Sequence, residues 1–100
     1  MYESSTYKLL QTAIVNVRWN NLDVGTALSD LTRQTRTAMP QIEFLLQLPA
    51  NTKLNRHGIP IHREVHILLL PASVAEVLDY VCQQTNLVLE IEGEKVILTP

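Results

Sequence analysis

The sequence predicts an α+β fold in which two helices pack between two small β-sheets, built from a duplicated β-α-β unit in the order β-α-β-β-α-β-β. Two observations predict it. Residues 17–36 (VRWNNLDVGTALSDLTRQTR) lie over residues 67–86 (ILLLPASVAEVLDYVCQQTN) without a gap, at a constant offset of fifty, with Val24 and Val74, Leu28 and Leu78, Gln34 and Gln84, and Thr35 and Thr85 identical. In each copy the apolar spacing changes from a period of two to the helical period, so each copy reads as a strand running into a helix.

Taken in order, Ala13, Val15, Val17 and Trp19 alternate with Ile14, Asn16 and Arg18, the pattern of a half-buried strand over 13–19. Val24, Ala27, Leu28 and Leu31 then form the stripe of a helix of about three turns, opened by Asp23 as N-cap. Ile42, Phe44, Leu46 and Leu48 alternate with Glu43, Leu45 and Gln47 in a second strand over 42–48. A third strand over roughly 64–70 carries Val65, Ile67 and Leu69. The second helix repeats the stripe at Val74, Val77, Leu78 and Val81, behind a Ser73–Glu76 capping box. Pro40 and Pro71 bracket the helices from outside, where a missing amide costs little. Leu87, Leu89 and Ile91 and then Val96 and Leu98 flank an EGEK turn, a hairpin closed at Gly93.

One short helix on one or two strands buries too little apolar surface to stand alone. The copies are therefore expected to share a seam of Leu28, Leu31, Leu78 and Val81 in one domain over 13–100. Its half-repeats span about 13–48 and 64–99, joined by a basic loop over 49–63 and preceded by a lead-in over 1–12. One hundred residues, 46% hydrophobic and 18% charged, suit one globular core. A net charge of −2 gives no global reason to bind nucleic acid or an anionic membrane. The longest apolar run, ILLL at 67–70, is far short of the roughly 20 residues of a membrane-spanning helix, and the start, MYESSTYKLLQT, is not a signal peptide.

The sequence carries few groups arranged for chemistry. With three glycines, and without G-x-S-x-G, G-x-x-x-x-G-K-[ST] or G-x-G-x-x-G, no nucleophile elbow or phosphate loop is predicted. Cys82, the single cysteine, neighbours the second helix's stripe and reads as a buried structural thiol. His62 and His66 have a zinc-like spacing, but on a strand residues four apart are separated by ~13 Å. No catalytic set, metal or cofactor is expected. Glu90, Glu92 and Glu94 fall on a solvated strand and turn, with Glu92 or Glu94 near Lys95, and Asp30, Arg33 and Arg36 read as the polar outside of the first helix. The connection PANTKLNRHGIPIHR carries Lys53, Arg56, His57, His62 and Arg63 with no acid before Glu64. It reads either as a flexible insertion or as a contact surface for an acidic partner, and its lack of aromatic side chains argues against a single-stranded nucleic-acid platform.

The pairing of VNVRWNNLDVGTALSDLTRQT with VHILLLPASVAEVLDYVCQQTNLVLEIEGEKVILTP resembles the short secretin and TonB N-terminus domain, over residues 10–100. The matching features are the Leu-rich helix from Leu22 to Leu31, the Thr85–Leu87 step and the hairpin through Val96 and Leu98. The resemblance implies a periplasmic docking module in the envelope of Gram-negative bacteria, cut from a longer protein. It further implies protein partners in an envelope or secretion assembly, homo-oligomerisation within the parent protein and no insertion of this domain into the membrane. On that basis the chain is expected to be a non-enzymatic protein-interaction domain. Its contacts are placed on an exposed strand edge at Lys95, Ile97 and Thr99 and on the basic loop at Lys53, Arg56, His57, His62 and Arg63. The alternative is a domain that binds an anionic glycan, nucleotide or nucleic acid through that loop.

Overall fold

The structure, a computed structural model, describes residues 5–100. The elements are α1 (Ser5–Thr12), β1 (Ile14–Asp23), α2 (Val24–Thr35), β2 (Glu43–Leu46), β3 (Glu64–Ser73), α3 (Val74–Thr85), β4 (Val88–Glu92) and β5 (Lys95–Thr99). The expected α+β class and the strand and helix order are observed, with one helix more. β1 and β3 form a two-stranded antiparallel sheet, and a three-stranded sheet has the order β2-β5-β4, with β2 parallel and β4 antiparallel to β5. α2 packs on β1 and β2, and α3 on β3 and β4, so each helix bridges the two sheets.

The offset of fifty seen in the sequence is written into the register of the first sheet. Ile14 pairs with Ser73 and Asp23 with Glu64; Val15 pairs with Ala72 and Leu22 with Val65; Val17 pairs with Leu69 and Trp19 with Ile67. Exchanging the copies converts each of these pairs into its fellow and leaves Arg18 opposite Leu68, so a pseudo-twofold axis passes between those two residues. Even the irregularities obey it. Asn16 stands opposite the two residues Leu70 and Pro71, and His66 opposite Asn20 and Asn21, one bulge per copy. Asn21 takes the left-handed backbone (φ 50°), which asparagine tolerates better than most residues.

The helix starts are anchored across the axis. The Val24 amide donates to the Arg63 carbonyl (2.8 Å) and the Val74 amide to the Ala13 carbonyl (3.0 Å), the same bond made in opposite directions. The Asp23 carboxylate then accepts from the amides of Gly25 and Thr26, and the Ser73 hydroxyl from the amide of Glu76. The first orphan donors of both helices are thus largely satisfied. α3 ends at Asn86, left-handed at φ 65°, whose amide returns to the Cys82 carbonyl. Gly93 (φ 60°) makes the expected hairpin turn between β4 and β5.

The expected stripe residues are all buried: Val24, Ala27, Leu28 and Leu31 on α2, and Val74, Val77, Leu78 and Val81 on α3. Val15, Val17, Trp19, Val65 and Ile67 from the first sheet and Val96 and Leu98 from the second complete one core. Thr35 and Thr85, identical in the two copies, are buried and turn their hydroxyls back on the Leu31 and Val81 carbonyls (2.7 Å each). A hydroxyl satisfied within its own helix can be buried without a second partner.

Three expectations are corrected. Strands β1 and β3 run to Asp23 and Ser73, several residues past the expected ends, because pairing in register continues beyond the bulges. Residues from Ser5 to Thr12, expected as lead-in, form α1, which buries Thr6 and Leu10 and packs on α3; the first four residues lie outside the described chain. β5 is not an edge. It lies between β2 and β4, and Ile97 is buried, so Lys95 to Thr99 present no free backbone to a partner.

Leu78 is fully buried at the middle of α3. Leu78→Ala should lower the unfolding free energy by about 2–5 kcal/mol in urea melts, with the far-ultraviolet circular dichroism of the folded state retained.

Candidate functional site

Alternation along β1 and β3 sends one parity into the core and the other outward. The outward residues are Ile14, Asn16 and Arg18 on β1 and Glu64, His66, Leu68 and Leu70 on β3. Among the described residues no element covers this face. Ile14, Leu68 and Leu70 are 62%, 63% and 48% exposed, and Tyr80 on α3, at 40%, stands beside β3. Polar side chains are the usual occupants of such a face. Here apolar ones hold much of it.

Each long edge of the two-stranded sheet is covered at one residue by a glutamine from its own copy. The Asn16 amide donates to Gln34 Oε1 (3.0 Å) and Gln34 Nε2 donates to the Asn16 carbonyl (2.8 Å). In the second copy the His66 amide donates to Gln84 Oε1 (2.7 Å) and Gln84 Nε2 to the His66 carbonyl (2.8 Å). A side-chain amide presents the same donor and acceptor as a backbone peptide, so each glutamine stands in for one residue of a neighbouring strand. That is the physical reason Gln34 and Gln84 are identical.

The two clamps are not equally supported. Asp30 accepts from Gln34 Nε2 (3.0 Å), from the Trp19 indole Nε1 (2.9 Å) and from Arg33, so the first clamp is part of a network. Burial works to raise the Asp30 pKa, but the hydrogen bonds from Trp19, Arg33 and Gln34, with the charge of Arg33, outweigh it and hold the group below its usual value. The helical pattern alone suggests a polar surface position for Asp30; the structure makes it a brace. Fifty residues on, Trp19 and Asp30 are replaced by Leu69 and Tyr80. Where the first copy has a brace, the second has a shallow groove of about 180 Å³ lined by His66, Ile67, Leu68, Leu69, Tyr80 and Gln84.

The basic loop is built, not loose. Leu54 and Pro60 form a bridge, and Asn55 Oδ1 accepts from the amides of His57 and Ile59 while its Nδ2 donates to the Asn86 carbonyl. Asn86 in turn donates to the Pro60 carbonyl, so the cap of α3 and the loop hold each other. Arg63 donates to the carbonyls of Pro49 (2.7 Å), Ala50 (3.2 Å) and Thr52 (2.9 Å). Arg56 donates to Glu90 and to the Thr99 hydroxyl, 2.8 Å each, and the bond to Glu90, ahead of a small burial cost, draws the Glu90 pKa down. Glu90 therefore pairs with the loop, whereas Lys95 makes no ion pair with Glu92 or Glu94. The two arginines are occupied by protein acceptors, while the side chains of Lys53, His57 and His62 remain exposed. His62 and Arg63 border a broad, open depression with Asn21, Ile61, Glu64 and Gln84. Cys82 is half-buried, and burial, with a smaller effect of Asp79, pushes its thiol up to about 11. It is a poor nucleophile there.

The structure thus defines an α+β domain with helices bridging two small sheets, pseudo-symmetric in one of them, with exposed apolar residues on that sheet's uncovered face. No protein-family model matches the sequence, and no curated protein matches it significantly. Among solved structures, a candidate anti-sigma factor from Parabacteroides distasonis ATCC 8503 is similar, with a TM-score of 0.50 and 15% identity over 96% of this chain. The likeness is one of fold, and this chain spans 38% of the length of that protein. The resemblance to the secretin and TonB N-terminus domain is overturned by these comparisons, and with it the secretin and outer-membrane setting. The residues that carried the resemblance are packing residues, which the fold requires whatever its family.

Asp30 is bound as the carboxylate, so its folded pKa lies below an unfolded value of about 3.9. Its stabilisation is complete above that value and is lost as pH falls through the folded one. Urea melts across the acid range should therefore show an acid limb that is shallower in Asp30→Asn, which keeps an acceptor for Trp19 but no longer titrates. Arg63→Ala removes the donor to three carbonyls and should cost about 1–3 kcal/mol, with faster amide exchange over 49–63. Arg63→Lys should recover part of that loss, since an ammonium lacks the guanidinium fork.

Proposed function

We propose that this chain is a regulatory protein-interaction domain, acting by docking and not by catalysis. The observation that carries the reading is the outward face of β1 and β3, where Ile14, Leu68 and Leu70 are all exposed and no element packs on them among the described residues. Isolated exposed apolar side chains are ordinary, but a cluster on one sheet face marks a surface that a partner covers. Kinship of fold with part of a candidate anti-sigma factor supports a role exercised through binding another protein. The basic loop supports this reading less than the sheet does, because Arg56 and Arg63 are spent on internal acceptors.

Removal of the apolar face should separate docking from folding. Leu68→Ser with Ile14→Ser lies outside the core and should leave the urea midpoint nearly unchanged. In cells of the native host, the yield of cross-links from this variant to other proteins should fall about tenfold or more below that of the unaltered chain. Lys53→Ala, on the loop, should keep the full yield. If Lys53→Ala abolished cross-linking and the apolar-face variant retained it, the function would belong to the loop.

A further inference from the structure

The apolar face adjoins two strand edges, and the duplication shows which of them is open. From the β1–β3 pairing and from the outward aim of the Asn16 and His66 backbones, the amide and carbonyl of Arg18 and of Leu68 face away from the sheet, since the direction alternates along a strand. On the β1 side the neighbouring clamp, Gln34, is held by Asp30, which Trp19 and Arg33 hold in turn. On the β3 side Gln84 has His66 as its hydrogen-bond partner and no such brace. The groove of about 180 Å³ lies directly along this edge, between the backbone of residues 66–69 and Tyr80.

We propose that the outer edge of β3 accepts an extended segment of a partner protein, which adds a third strand beside Leu68 and displaces Gln84 from His66. Unpaired strand amides and carbonyls are satisfied in series by another strand and by little else. The segment's alternate side chains would fall on opposite faces. One set lies over Leu68 and Leu70 on the outside, and the other enters the groove against Leu69 and Tyr80, so the ligand chemistry is a strand with apolar residues on both parities. The edge is short. It runs from His66, once Gln84 is displaced, to the bulge at Leu70 and Pro71, where proline has no amide to offer. A segment of about five residues fits this span, whereas a second ten-residue β3 would bring two bulges and two clamps against each other. The inference rests on the docking reading above and specifies its geometry.

The test selects displayed twelve-residue random peptides against the full chain and maps the bound peptides by amide chemical shifts. Peptides should perturb His66, Leu68, Leu70 and Tyr80 and show cross-strand backbone proximity to Leu68. Methylating the alternate peptide nitrogens that pair with β3 should weaken binding about tenfold or more, while methylating the intervening nitrogens should weaken it little. Gln84→Ala, folded as judged by its amide spectrum, should bind several-fold more tightly, because no clamp has to be displaced; Gln34→Ala should not. Peptides held by Leu68 and Leu70 but indifferent to methylation at either set would overturn strand addition and leave the docking face standing. Peptides found on other surfaces alone, or none, would overturn both. Self-association of the chain through the β3 edge, seen by light scattering and cross-strand nuclear Overhauser effects, would replace the foreign segment by a second copy and overturn this proposal.

Discussion

The reciprocal pairing of β1 with β3 is the constraint on which the rest of the molecule depends. Each helix begins where one strand ends, and its first amide is satisfied by a carbonyl just ahead of the other strand, Arg63 for Val24 and Ala13 for Val74. Neither helix can be set at its starting angle without the strand of the other copy. Once both are set, their stripes face the space between the sheets, and the second sheet closes it with Val96 and Leu98. A slip of one residue in the β1–β3 register would carry Val15, Val17 and Trp19 to solvent and uncouple both helix starts together.

The two bulges complete this arrangement without breaking it. Each inserts one extra residue opposite Asn16 or His66, and at that residue the glutamine of the same copy supplies the missing lateral partner. An edge strand of ten residues with exposed leucines is a hazard for unwanted pairing. The glutamines blunt both edges without the lysine that commonly serves, joined on β3 by Pro71, and leave apolar residues on the outward face. Sheet edge and sheet face are thus controlled by different residues.

Much of the fold was legible because duplication doubles weak signals. Stripes, caps and hairpin are local patterns, and each was present in the letters: Asp23, Ser73, the 24-27-28-31 stripe and its counterpart, and Gly93. What was not legible depended on long-range pairing. The centre of the second sheet is β5, which enters between a strand about 50 residues earlier and its own hairpin partner, so nothing near Lys95–Thr99 tells an edge from a centre. α1 is short, and its stripe is little more than Leu10 with Thr6, so its order comes from docking on α3 and from the Thr6 bond to the Gly93 carbonyl (2.5 Å). The loop from 49 to 63 looked unattached because its holdings are long-range bonds that sequence cannot place: side chains of Asn55, Arg56 and Arg63 on carbonyls and a carboxylate, and backbone bonds from Arg56 to Pro100 and from His62 to Thr85. The clamps had a signal: Gln34 and Gln84 were identical outside the stripe, where packing gives no reason for identity.

Pseudo-symmetry also gives a means of reading function without a catalytic motif. Where the copies agree, at Val24 and Val74, Leu28 and Leu78, Gln34 and Gln84, the residue serves a demand of the architecture that both halves make. Where they differ at equivalent places along the shared sheet, the strand pairing common to both halves is not the reason. Trp19 with Asp30 and Leu69 with Tyr80 occupy the same site in the two halves, and the first pair closes what the second leaves open. The first copy keeps a hydrogen-bonded indole at 4% exposure, whereas the second has Leu69 in its place and holds Tyr80 partly in water. A half that only had to fold could have kept the brace. Its absence from the second half, beside the exposed Leu68 and Leu70, concentrates the asymmetry of the domain on one edge and the face beside it, and locates the proposed docking where the duplication departs from itself.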